Sequence, residues 1–129
     1  MDSIFTKIIN KEIPSYIIEE NEHFIAFLDV FPLAKGHTLV VPKKQVDYIF
    51  DLDTTTYNEF WSFAKKIAAK VEQAIACERI GIAVIGLEVP HAHIHLVPIN
   101  SVQDINFSLP KMKLTEEDFL QIQKAILKN

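Results

Sequence analysis

The stretch "HAHIHLVP", residues 91–98, sets His91, His93 and His95 at alternate positions inside an otherwise apolar run. Only five histidines occur in 129 residues, so three in one octapeptide call for a chemical reason. In a strand, alternate side chains share a face and two residues advance about 6.6 Å. The three imidazoles are therefore expected on one face, with Ala92, Ile94 and Leu96 entering a core on the other. Three readings compete. A half-buried strand could carry the rings on its solvent face without any role. Neighbouring His-x-His pairs could share a zinc ion at about 2.0–2.1 Å. Three in a straight strand span about 13 Å, however, and cannot close on one metal without a bend. Further ligands are scarce nearby: Glu88, His37 and no thiolate. The third reading is imidazole chemistry itself, since both protonation states are accessible near neutrality. A neutral ring can attack and charged rings can hold an anion. Phosphorus suits this best, because phosphoryl-type transfer asks mainly for positioning and for stabilisation of charge on oxygen.

The elements that must position this row are legible from periodicity. "IFTKIINKEIP" predicts a short helix with Ile4, Phe5, Ile8 and Ile9 on its apolar side, ended before Pro14. "SYIIEENEHFIAFLDV" predicts two strands around a polar turn at Glu20–Glu22. "GHTLVVP" (36–42) is a further strand, and "RIGIAVIG" and "HAHIHLVPI" are two more. The clearest helix covers about 54–76, where Phe60, Ala64, Ile67, Ala68, Val71 and Ile75 form a stripe at three- and four-residue steps. Asp53 or Thr56 could cap it, Thr56 with Glu59 fitting a capping box. A last helix over about 116–128 has Thr115 as cap and Phe119, Ile122 and Ile126 on one side. Strands flanked by segregated helices predict an α+β domain with a mostly antiparallel sheet.

Composition narrows the function classes. The length suits one domain over 1–129, with 100–129 a C-terminal extension ending in a helix. Hydrophobic residues make up 49% and charged residues 23%, an ordinary globular balance. No apolar run approaches a membrane span, and residues 1–13 lack the pattern of a secretion signal, so a cytoplasmic protein is expected. The single cysteine, Cys77, rules out an intrachain disulfide and Cys-rich zinc frameworks. A net charge of −4 argues against a general nucleic-acid binder, though not against a small anionic ligand. None of the three glycines (Gly36, Gly81, Gly86) belongs to a Gly-rich phosphate loop.

The chain resembles the histidine-triad (HIT) family of nucleotide hydrolases and transferases. "HAHIHLV" matches its His-φ-His-φ-His-φ-φ signature, φ being apolar, at every position. "SIFTKIINKEIPSYIIEENEHFIAFLDVFPLAKGHTLVVPKK" is similar to the N-terminal half of the phosphoramidase-type branch. Together the matching segments cover roughly residues 3–99, about three-quarters of the chain. The resemblance implies a HIT-like fold of about five strands with a long central helix, a homodimer with a continuous sheet, and a purine nucleotide substrate. It implies that His93 attacks the α-phosphorus to give a nucleotidyl-histidine. His91 and His95 flank it, contact phosphate oxygens and backbone, and help protonate the leaving group. His37 matches the family's fourth histidine, and Asp29 the acid on the ribose hydroxyls, a role a carboxylate fills well as an acceptor. Phe5, Ile8, Phe27 and Val30 match the apolar residues around the base, although plain core would use the same residue types. No cofactor is implied. His23, in the hairpin turn, has no role.

Two departures from the family pattern stand out. Where many bacterial members carry Cys-x-x-Cys and a histidine that bind structural zinc with the first triad histidine, this chain has Ser3, Thr6 and Gln45. Hydroxyls and an amide do not replace thiolates, so no metal is expected. Before the triad, related phosphoramidases have an Asn and a polar Gly-rich loop; here stands only "IGLEVP", with Glu88 close to an anionic substrate. A nucleotide-binding regulatory module with little turnover is the competing class, and a metalloenzyme the third.

Overall fold

The computed structural model describes residues 1–129. Its elements, in chain order, are helix α1 (Ile4–Ile9), strands β1 (Ile17–Glu20), β2 (Phe24–Leu28) and β3 (Thr38–Pro42), helix α2 (Thr54–Ala74), strands β4 (Arg79–Ala83) and β5 (Ile94–Ile99), and helix α3 (Glu116–Leu127). The strands form one sheet in the order β1-β2-β3-β5-β4, every neighbouring pair antiparallel. This is the predicted α+β architecture, with α2 the long helix between β3 and β4. No helix is long and apolar enough to cross a membrane.

Both faces of the sheet are covered. On one, α2 lays Phe60, Ala64, Ile67 and Val71 on Ala26, Val40, Ile94 and Leu96, and α3 adds Phe119, Ile122 and Ile126. On the other, Phe5 and Ile8 of α1 pack on Ile25, Phe27, Leu39 and Val41. Successive residues of β2 and β3 therefore alternate between two apolar layers, and both strands are buried throughout. Burying a large aliphatic or aromatic side chain contributes roughly 1.5–3 kcal/mol, so these layers fix the frame on which the histidines stand.

The structure selects between the two caps expected for α2, and differs from expectation at the end of α2 and in α1. Asp53 caps α2 by accepting from the Thr56 amide (3.2 Å), and Thr56 lies inside the first turn. The Thr56–Glu59 capping box is thus not the helix start. The buried stripe also includes Phe63, while Ile75 lies just past the helix end. Helix α1 stops at Ile9, well short of Pro14, and only Phe5 and Ile8 of its four apolar residues are buried. Gly36, immediately before His37, holds φ +90, and a Cβ there would lie 2.8 Å from Ile75 Cγ1. Both the left-handed backbone and the contact with the end of α2 demand glycine at that turn.

Candidate active site

The three triad histidines line one side of the chain, toward Phe5 and Leu39 and opposite Ala92, Ile94 and Leu96, but not as one regular strand. Strand β5 begins at Ile94, so only His95 sits in the ladder, opposite Leu39 of β3. His91 and His93 lie in the irregular segment leading into it. None is on a solvent face: their exposures are 0%, 6% and 9%. The idle-surface reading fails on those values. Ala92, Ile94 and Leu96 enter the core as expected.

The departure from strand geometry has a visible cause in hydrogen bonding. His93 Nδ1 lies 2.7 Å from the carbonyl oxygen of His91, two residues back, which a regular strand would direct into a ladder. A carbonyl only accepts, so Nδ1 carries the proton and Nε2 keeps its lone pair. His91 Nε2 donates in the same way to the Pro42 carbonyl (2.7 Å), leaving Nδ1 to accept from the Ser3 hydroxyl (2.7 Å). Both ring nitrogens of His91 are thus engaged by the protein, and its carbonyl holds His93. His37 Nδ1 accepts from the Leu33 amide (3.0 Å), so its proton is on Nε2, 3.0 Å from His95 Nδ1. His95 must then carry its own proton on Nε2. Every tautomer follows from one backbone group at the end of a chain of bonds.

Electrostatics reinforce this arrangement. Burial, above all, lowers the pKa of His37 from 6.5 to about 4 and that of His95 to about 3. His91 and His93 are also lowered, again chiefly by burial. The rings are therefore neutral near neutrality, and the expected imidazolium groups are replaced by N–H donors. Asp29 follows β2 and accepts from the Phe31 amide (2.9 Å), while its other oxygen lies 3.5 Å from His37 Nε2. Burial raises its pKa from 3.8 to about 6. Phe5 stands edge-on to His93 (centroids 4.9 Å) and to Phe27 (5.6 Å), with Ile8 in the same cluster. Val30 lies outside that cluster and is 47% exposed.

Comparison with known proteins places this geometry. The HIT domain model matches residues 10–102. The chain belongs to the HIT family. It is 34% identical over 136 aligned positions to an uncharacterised HIT-like protein of Borreliella burgdorferi, covering 99% of this chain and 98% of that one. It is 35% identical over 100 residues to adenosine 5′-monophosphoramidase HNT1 of Saccharomyces cerevisiae, covering 74% of this chain and 61% of the relative. Among solved structures, a Hit-like protein involved in cell-cycle regulation from Bartonella henselae superposes with a TM-score of 0.85. That pair is 31% identical, and the match covers 98% of this chain and 95% of the other.

Two groups in this HIT chain test the metal reading. Ser3, Thr6, Gln45 and His91 do converge: Ser3 N–H and Thr6 Oγ1 donate to Gln45 Oε1 at 2.8 and 2.7 Å, and Ser3 bonds His91. Two neutral hydroxyls and an amide, already satisfying one another, are not the anionic donor set structural zinc requires. Asp29, His37 and His95 bring one ligand atom each within 4.8 Å. A metal on His37 Nε2 would drive the proton to Nδ1, against the Leu33 N–H, so this trio does not fit a metal either. The sequence reading missed Leu33 and Pro42, whose backbone groups carry no side-chain signal. It also missed Phe107, whose ring lies 4.7 Å from that of His95, in the segment where no family motif was matched.

Proposed function

We propose that this protein is a nucleotide hydrolase or transferase acting at the α-phosphorus of nucleoside 5′-monophosphate derivatives, through a nucleotidyl-histidine on His93. The observation that carries the reading is the bond from His93 Nδ1 to the His91 carbonyl, which leaves Nε2 as an oriented lone pair among neutral rings. HIT proteins include a phosphoramidase, HNT1, similar to this chain over 74% of its length. Phosphoramidate, acyl and dinucleotide derivatives all present the same electrophile. His95 Nε2–H is aimed as a donor to phosphate oxygen, His37 fixes its tautomer, and His91 positions His93. Asp29 accepts from the ribose hydroxyls; Phe5, Ile8 and Phe27 floor the base pocket, with Val30 at its rim. A purine fits this apolar floor, by analogy with the phosphoramidase. No metal or cofactor enters the scheme, and the setting is cytoplasmic.

The test is mass spectrometry of His95→Ala and wild-type protein after mixing with adenosine 5′-phosphoramidate. An adduct of adenylyl mass on His93, absent in His93→Ala, is the expected result. Calorimetric binding with neither adduct nor AMP, from adenosine 5′-phosphoramidate and from diadenosine triphosphate alike, would sink the catalytic reading and leave a nucleotide-binding regulatory module. The shortened "GLEVP" loop, which has no polar donor of the kind expected beside a phosphate, is the feature that favours that second reading.

A further inference from the structure

The segment after β5 folds back over the histidines. A 3-10 turn at Val102–Ile105 is closed by a reciprocal Ser101–Asp104 capping box, and the Met112 amide donates to the Pro32 carbonyl at 2.8 Å. Residues 101–112 thus form a strap from the end of β5 to the loop that carries Asp29 and Leu33. Beneath it, the Phe107 ring meets His95 (4.7 Å) and His37 (6.1 Å) edge-on. Lys111 Nζ donates to the carbonyls of Phe107 (2.6 Å) and Leu109 (3.1 Å). An ammonium has three hydrogens, so one remains free on a cation held 2.6 Å from the carbonyl of the residue that covers His95. No carboxylate pairs with it. Its charge is felt at Asp29 and His37, while that of exposed Glu88 is felt at Asp29 and His93.

The tautomers add a second constraint. His95 Nε2–H is the one ring N–H of the four buried histidines without a protein acceptor, which leaves it able to donate to a bound ligand. It cannot give that proton away. Its Nδ1 faces the His37 N–H, and loss of the Nε2 proton would leave an imidazolate. A second proton on Nδ1 would set two N–H groups face to face, in accord with the pKa held down at about 3. An amine needs a proton in order to depart; a phosphate does not.

We propose that the strap is a leaving-group subsite in which Lys111 selects leaving groups that depart as phosphate anions over those that depart as amines. This rests on the nucleotidyl-transfer reading above and narrows its substrate class. In the first step the bond from His93 Nε2 to the α-phosphorus forms as the phosphoanhydride P–O bond breaks. The departing phosphate oxygen keeps the electron pair, beside Lys111. In the second step water replaces His93 on phosphorus, one water proton passes to solvent, and Nε2 recovers its lone pair.

The experiment measures kcat/KM for diadenosine triphosphate (leaving group ADP) and for adenosine 5′-phosphoramidate (leaving group ammonia, the simplest amine), and takes the ratio. Lys111→Met is expected to lower that ratio about 10- to 100-fold, the worth of one hydrogen bond to a charged group. Lys111→Arg, which keeps the charge, is expected to hold it within about threefold. Added salt should lower the ratio in wild type more than in Lys111→Met. An unchanged ratio in Lys111→Met makes the lysine a clip for the strap and overturns the proposal, as does wild-type cleavage of the phosphoramidate alone. If neither compound is cleaved and His93 gains no adduct, the nucleotidyl-transfer reading falls and takes the subsite with it.

Discussion

Asp29 and the histidines around it pull the stability of the fold in opposite directions with pH. The Asp29 carboxyl has a folded pKa of about 6 against 3.8, so the folded state binds its proton more tightly. Its contribution to stability is full below about pH 3.8 and is lost as pH rises through about 6. His37 and His95, lowered from 6.5 to about 4 and about 3, contribute stability above pH 6.5 that is lost as pH falls toward those values. Asp29→Asn keeps an oxygen for the Phe31 amide but removes the half-buried charge. It should raise the melting temperature by several degrees at pH 7.5, on the order of 1–3 kcal/mol, and change it little at pH 4. Equal shifts at both pH values in thermal melts would refute this account. The types and spacing of these residues were legible in the sequence; their charge states were not. A row of imidazoles suggests cations, but enclosure by Phe5, Phe107 and the sheet makes the charged form costly. Backbone partners such as Leu33 and the His91 carbonyl are invisible to any reading of side chains.

At the scale of elements, the six-residue helix α1 does more than cover the sheet. A helix this short is not stable alone; it is held by Phe5 and Ile8 and by Ser3. The Ser3 hydroxyl accepts from the Thr6 amide as N-cap and also meets His91 Nδ1, so one oxygen joins the helix start to the triad. Ser3→Ala should cost about 1–3 kcal/mol in denaturant unfolding, since it removes a cap and leaves a buried ring nitrogen unsatisfied. A loss below the usual cap value alone would show that His91 finds its partner elsewhere. The long stripe of α2, the Thr115 cap of α3 and the strand runs were readable because period and capping are local properties. The point where β5 begins was not, because His91 and His93 alternate as strand residues do, while a tertiary partner, Pro42, and a local carbonyl bond decide their backbone. The strap was unreadable for a similar reason: Phe107 and Lys111 owe their place to the 3-10 turn and the Pro32 contact, which have no periodic signature.

For the whole molecule, the sheet ends in two edge strands, β1 and β4, and the second bears on assembly. Strand β4 is an edge strand with Ile82 53% exposed. Beside it a cavity of about 380 Å³ is lined by Phe50, Trp61, Ile85, Leu87 and His93 among others. Unpaired edges and contiguous apolar surface invite a partner, and a second copy pairing at β4 would satisfy both. Light scattering should therefore give two chains per particle, and Ile82→Lys should shift the mass toward one. A monomeric wild type at micromolar concentration would contradict it. The site itself is drawn from distant parts of the chain: Ser3 meets His91 across 88 positions and His37 meets His95 across 58. On a growing polypeptide Ser3 and His37 emerge before His93, and Phe107 and Lys111 after it. This cluster of side chains is therefore incomplete until residue 111 has been synthesised and the chain has folded back on itself.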